Sequence, residues 1–432
     1  MNRKILKLAL PSIFANITVP LVGIVDLAIA GRLGDVASLG GMAIGTMLFD
    51  LLYWNMGFLR VGTGGYAAQA YGRRDFRDAI KVLVQAIGTA LVAALFILSI
   101  QYPFMELSFL VLDTSPEVEN YARLYFNIRI WAAPATLSLF AFKGWFIGMQ
   151  NTISPMVVDL TVNIANLALG VFLALGLDMG IPGIALGTVL AQYLGLLTAL
   201  SLMIVYYRKL FRYINIRASL KLKDMKSFFA LNGNLFLRSL SLLLIYSGFT
   251  AFATEYGDTP LAVSTIMMKL MLLYSYFIDG FAYAGEALTG RYVGAKEPRM
   301  LKKAIKLLFY WAFGIAAVST LLYAVSGEYL FRLMTNNQEV ITAAGPYLPW
   351  LLLIPLISCT AFTWDGIYIG ATAAKAIRNT TILSALAFFV TYYLFRGTIS
   401  TQSIYLAYAM HLIIRTILMS AWAKREVLIK AG

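Results

Sequence analysis

The chain has 432 residues, of which 60% are hydrophobic and 13% charged, with a mean hydropathy of +0.75. That balance excludes a soluble globular enzyme of this length and indicates a protein that crosses a membrane many times. The net charge of +14 would suggest nucleic acid in a soluble chain, but here the basic residues gather in particular loops, while one Cys (Cys359) and one His (His411) exclude disulfide frameworks and thiolate or histidine metal clusters.

Twelve spans are predicted, at 5–31, 39–70, 80–101, 117–148, 155–176, 182–206, 226–253, 260–290, 304–326, 339–371, 376–395 and 401–423. Residues 82–100, 307–327 and 340–364 carry no charge over the ~20 residues that a helix needs to cross the hydrocarbon. The first apolar segment is too long for a cleaved leader and no small-residue cleavage site follows a short core, so it is expected to remain as a helix. Within it Asp26 lies between the apolar runs 21–25 and 27–31. A charged side chain at a helix centre in lipid costs ~2.5–3.5 kcal/mol, so a span that keeps one normally turns it toward a cavity or a partner. Pro20 removes a backbone N–H and frees the carbonyl of Asn16, and a bend there would open the wall of a cavity that Asp26 faces. The plainer alternative is an Asp tied into a helix–helix hydrogen bond with no transport role.

Further along the first half, Asn55, Asn127, Asn163, Asn166, Gln192 and Tyr193 are the polar candidates to line such a cavity. Each alone is more commonly a packing hydrogen bond, but Asn163 and Asn166 share a helix face by their spacing. Asp50 and Arg60 also fall inside the second span, where an ion-pair or interface role is the simpler reading for Arg60. In the second half Asp279 and Glu286 are seven residues apart and share a face, with Arg238, Lys269 and Arg415 available to neutralise them. A structural network and a second ion or substrate site are both open there, and Asp365 carries the same two alternatives. The aromatic content of 14% suits interface belts and equally a cavity for flat cations.

Loop charge sets the expected orientation. Arg3, Lys4 and Lys7, then Arg73, Arg74, Arg77 and Lys81, then the central loop from Arg208 to Lys226, then Arg291 to Lys306, and the C-terminal Lys424, Arg425 and Lys430 all fall on one side. The alternate loops hold Arg32, Arg332 and Arg396, and one carries Glu106, Asp113, Glu117 and Glu119. Both termini are therefore expected in the cytoplasm of an inner-membrane protein. The chain also repeats. A shift of 222 residues lays QAYGRRDFR (69–77) on RYVGAKEPR (291–299) and GWFIG (144–148) on GIYIG (366–370). Six spans per half make this a parallel repeat, with an N-lobe at 1–206, a basic linker at 207–225 and a C-lobe at 226–432.

Five segments resemble one known family. MGFLRVGTGGYAAQAYG (56–72) resembles the second-helix signature of the DinF branch of the MATE (multidrug and toxic compound extrusion) transporters. VDLAIAGRLGD (25–35) is similar to that family's first-helix segment with its acidic residue, and IPGIALGTVLAQYLGLL (181–197) to the start of its sixth helix. DGFAYAGEALTGRYVGA (279–295) and DGIYIGATAAKAIRNT (365–380) resemble the eighth-helix and tenth-helix motifs. The resemblance implies an all-α membrane protein of twelve helices in two six-helix lobes. It implies export of cationic or amphipathic compounds against inward H⁺ or Na⁺, with Asp26 as the coupling residue. The Asn of the fifth-helix motif N-x-x-L-D maps to Asn166, but the acidic position is Gly170, and Asn163 and Asp159, about two and three turns before it, are the candidates to compensate.

The expected function is thus a secondary antiporter working by alternating access, without cofactor, nucleic acid or resident metal, as a monomer in lipid. No phosphate-binding G-x-x-x-x-G-K-[ST] loop is present, so ATP is not expected to drive it. The alternatives are a flippase for a lipid-linked precursor, as found in the wider superfamily, and an intramembrane enzyme. The absence of H-E-x-x-H and G-x-S-x-G motifs weakens the enzyme reading.

Overall fold

The structure is a computed structural model. It describes residues 1–32, 36–112 and 114–432, with the side chains of 19–28, 30–32, 36, 222, 224 and 328 outside the described set. The chain is 92% helical, with no strand among the described residues. Among the described residues twelve long helical segments follow one another. They are α1 (Asn2–Arg32), α2 (Ala37–Arg73), α3 (Phe76–Val111), α4 (Pro116–Gly148), α5 (Ile153–Gly176) and α6 (Ile181–Tyr213) in the first half. The second half has α7 (Leu222–Thr254), α8 (Asp258–Gly294), α9 (Pro298–Met334), α10 (Gln338–Gly370), α11 (Ala374–Ile399) and α12 (Gln402–Ala431). From α2 onward, eleven are long and apolar enough to cross a membrane. Their outer faces carry large apolar side chains, such as Val92 at 68%, Leu95 at 66% and Phe96 at 60% exposure on α3. Contiguous apolar surface of that kind is expected against lipid rather than water.

Local chemistry sets the helix ends. Asp75 caps α3 by accepting from the Asp78 amide at 3.0 Å, and Ser115 caps α4, with Pro116 at its first position and Glu117 and Glu119 in its first turn. Among the described residues, three helices tighten into a 3₁₀ turn partway along their length: α2 at Asn55–Gly57, α4 at Ile130–Ala132 just before Pro134, and α10 at Gly345–Tyr347 around Pro346. In the latter two a proline removes a backbone donor from the ladder.

The repeat is written into the backbone. Among the described residues six non-glycine residues have positive φ, and they form three pairs 222 residues apart: Arg74 with Lys296, Gln150 with Thr372, and Asp178 with Ser400. The first two pairs end helices in the same way. The amide of Asp75 bonds the carbonyl of Ala70 at 3.0 Å and that of Glu297 bonds Tyr292 at 2.9 Å, while Asn151 bonds Phe146 and Ala373 bonds Tyr368, both at 2.9 Å. These are Schellman closures with a left-handed residue where glycine is usual.

Packing repeats at the same offset. A Cβ added to Gly144 would collide with the carbonyl oxygen of Arg60, and one added to Gly366 with that of Ala282. One turn on, Gly148 closes on the Gly64 carbonyl, and Gly370 on that of Glu286. Small residues four apart let two helix backbones touch, the close approach that drives helix association in lipid. The two short motifs matched in the sequence are therefore the two halves of one device: a tight turn, and a glycine pair that seats α4 on α2 and α10 on α8.

Contacts group the chain into two compact units, one from Phe14 to Phe229, the other from Ala230 to Gly432 together with Met1–Ile13. In the second unit the start of α1 lies against α8, where Gly280 leaves no room for a side chain beside Ile13 and Ala9. In the first unit the linker folds back on α3. Asn215 caps a short helical turn, the Ser219 carbonyl accepts from Gln85 at 3.1 Å, and Leu220 packs at Gly88.

Candidate functional site

In the first unit the polar residues gather where α5 meets α1 and α6. Asn163 donates to the Thr18 hydroxyl at 2.6 Å, and that hydroxyl donates to the Ala15 carbonyl at 2.7 Å. Further along, α5 meets α1 again at Gly170, whose absent Cβ would stand 3.5 Å from the Ile29 side chain. The backbone of Asp26 lies in α1 between these two contacts; its side chain is outside the described residues. Asn166 is 3% exposed and donates to the Thr188 hydroxyl at 2.8 Å. Its Oδ1 is buried and receives no hydrogen bond among the described residues. A buried acceptor without a donor is costly, and a cation or a protonated carboxyl would satisfy it.

The other polar candidates of this unit do not converge on that point. Asn55 sits in the 3₁₀ turn of α2, with its amide nitrogen 3.4 Å from the Leu51 carbonyl and its Oδ1 likewise buried and without a donor. The Tyr193 hydroxyl donates to the Trp131 carbonyl at 3.0 Å, which satisfies the broken ladder of α4. Asn127 is exposed and Gln192 half-buried.

Two charged groups escaped the sequence reading. Lys143 of α4 pairs with Asp159 of α5, and this pair occupies the carboxylate considered as a stand-in for the missing acid at Gly170. Arg129, midway along α4, donates to the Tyr125 hydroxyl at 2.6 Å and lies over the ring of Phe49 at 4.8 Å, next in sequence to Asp50. A lone cation inside each apolar stretch was the available signal.

Gly170 has ordinary van der Waals room, whereas a Cβ at Gly187 of α6 would press at 2.8 Å on the Gly170 backbone nitrogen. Gly170→Ala is therefore expected to fold with wild-type thermal stability and Gly187→Ala to lose about 1–3 kcal/mol. Equal melting of the two purified variants would refute this packing.

The second unit collects its charges differently from the helix-face expectation. Arg238 of α7 and Arg415 of α12 both pair with Oδ2 of Asp365 on α10, Arg238 at 2.7 Å and Arg415 in closer contact still. Asp365 is 6% and Arg415 1% exposed. Tyr246 of α7 faces the two arginines and Asp279, and His411 bonds the Tyr408 carbonyl through Nδ1 at 2.6 Å. Glu286 is fully buried, its carbonyl beneath Gly370. Lys269 is exposed.

Comparison with known proteins agrees with this architecture. A family model described as MatE matches residues 11–172 and again 235–394. The DNA damage-inducible protein F of Escherichia coli K12 is 33% identical over 97% of this chain and 91% of its own length. The multidrug export protein MepA of Staphylococcus haemolyticus is 23% identical over 88% of this chain and 84% of its own. Among solved structures, the outward-facing conformation of a multidrug resistance MATE family transporter of the MOP superfamily superposes with a TM-score of 0.89 at 18% identity, over 99% of this chain and 96% of that one. At that identity the likeness is one of fold. Two matches to one family model, at almost the offset of the structural repeat, together with a full-length relative, place this twelve-helix chain in the MatE family of membrane transporters.

Proposed function

We propose that the chain is a secondary antiporter that exports cationic or amphipathic organic compounds in exchange for H⁺ or Na⁺, by alternating access, with Asp26 as the coupling carboxylate. It acts as a monomer in the inner membrane and needs no cofactor beyond the coupling ion. The observation that carries this reading is the meeting of α1, α5 and α6, where Asn166 buries an acceptor oxygen that no described donor satisfies. Relatives whose names describe multidrug export and multidrug resistance support small-molecule substrates. A carboxylate in a low-dielectric cavity holds a proton until a cation or open water stabilises its charge, so substrate and coupling ion exclude one another on one side chain.

The test is transport of a fluorescent cation into or out of proteoliposomes under an imposed pH or Na⁺ gradient. Gradient-dependent movement supports antiport. Movement of a lipid-linked sugar with no response of the cation to either gradient would replace it with the flippase reading.

Orientation has its own test. Reporter fusions at Gly72, Phe211 and Gly294 are expected to read cytoplasmic, and fusions at Asp113 and Gly257 external, from the loop charge bias. A cytoplasmic reading at Asp113 overturns the orientation.

A further inference from the structure

The buried charge cluster of the second unit is incompletely matched. Asp365 offers two carboxylate oxygens to Arg238 and Arg415, yet both guanidinium groups engage the same oxygen, Oδ2, each through its Nη2. The remaining oxygen, Oδ1, is buried and receives no hydrogen bond among the described residues. The Nε–H donors of both arginines are also buried and find no acceptor among the described residues. An arginine fork binds a carboxylate or phosphate through two parallel N–H bonds, one from Nε and one from a terminal nitrogen. Here two forks lie buried side by side, and neither is filled in that way.

In direct contact the two guanidinium groups share the single carboxylate of Asp365. Asp279 and both arginines lie close enough to Tyr246 to act on it electrostatically, and Arg415 does the same to Tyr408 and His411. The polar edge of the cluster is partly open, because the side chain of Arg238 is 14% exposed and Tyr246 and Asp279 are half-buried. The flank beyond α12 is apolar and aromatic, with Phe249 edge-on to Tyr405 at 5.5 Å and to Tyr408 at 5.6 Å.

We infer that Arg238 and Arg415 form an oxyanion-binding site, in which Asp365 stands as an internal occupant that a ligand's acid group displaces or joins. The ligand chemistry is a single carboxylate, or a phosphate ester of like charge, on an apolar body. This is a second recognition chemistry, separate from the cation chemistry proposed at Asp26, and it stands whether or not Asp26 couples transport. Asp365 in this arrangement does not serve as a cation site, since two guanidinium groups already hold its charged oxygen.

The test uses the full chain in neutral-lipid nanodiscs, with decanoate as the probe and decyltrimethylammonium and decanol as partners of equal chain length. Decanoate is expected to raise the melting temperature in a saturable way and the other two are not. Asp365→Asn removes the internal competitor, so the decanoate affinity is expected to rise about 10-fold, the effect of one charge-assisted bond no longer contested. Arg415→Gln and Arg238→Gln are expected to lose about 10-fold or more on the same scale.

Because loss of a buried charge partner can prevent folding, Arg238→Lys is the second variant. It keeps the charge without the fork and is expected to weaken decanoate about 10-fold while the chain still melts cooperatively. Decanoate affinity unchanged in both Asp365→Asn and Arg238→Lys, or decyltrimethylammonium binding that matches decanoate, overturns the site. Repeating the titration in nanodiscs that contain phosphatidylglycerol separates sources: competition assigns the arginines to a lipid headgroup, and its absence assigns them to a soluble acid.

Discussion

Asp26→Asn is expected to insert and fold at wild-type levels and to lose gradient-driven efflux down to the background of empty liposomes. The amide keeps the shape of the side chain but neither gains nor loses a proton at any relevant pH and holds a cation weakly. Removing a charge from the middle of an apolar span also relieves an insertion cost of ~2.5–3.5 kcal/mol, so misfolding is not the expected cause of the loss. Two variants serve as comparisons. Asp159→Asn breaks a pair with Lys143 away from the Asn166 acceptor, and Asp50→Asn changes a residue that is exposed in the first unit. Both are expected to retain most of the efflux. The deciding measurement is efflux against pH at equal expression. Wild-type efflux from Asp26→Asn across the whole range would sink the assignment and move coupling to Asp279 or Glu286. Partial efflux would divide it between the two units.

The second large effect is structural. Gly366→Ala is expected to destabilise the chain by about 3 kcal/mol, the upper part of the usual range for overpacking, because the new methyl group meets a backbone carbonyl rather than a movable side-chain tip. The Ala282 carbonyl cannot yield without parting α8 from α10. Gly144→Ala is expected to do the same through the Arg60 carbonyl between α2 and α4. Gly285→Ala is the control: its Cβ would sit 3.5 Å from Leu308 and 3.6 Å from Ile367, which is ordinary contact, and alanine favours the helix. Melting of the detergent-purified variants decides the matter. Gly366→Ala as stable as Gly285→Ala would mean that the two helices do not touch backbone to backbone.

Much of this architecture is legible in one dimension. A membrane helix must satisfy its backbone internally and cover its length with apolar residues, so span positions follow from local composition. The repeat is legible for a related reason. QAYGRRDFR and RYVGAKEPR, and GWFIG and GIYIG, match because each must build the same left-handed helix end and the same close glycine contact, and few residues permit either. The reading of Asp26 came from the same source, one carboxylate in an otherwise apolar span.

Partnership across helices was not legible. Helical spacing placed Asp279 and Glu286 on one face and offered Arg238 and Arg415 to them, whereas both arginines turn to Asp365, which is 127 and 50 residues away from them along the chain. Spacing along one helix says which side chains share a face, not which other helix that face meets or at what rotation. The pairing of Lys143 with Asp159, the seat of Arg129 over Phe49, and the contact of the first turns of α1 with α8 have the same origin. The amino-acid sequence by itself determined that this protein is a twice-repeated set of six membrane helices with a carboxylate kept in the first. Tertiary structure alone decided which charges neutralise one another and which buried acceptors and donors remain unmatched, because a charge buried in lipid takes whatever partner the packed backbones bring within reach.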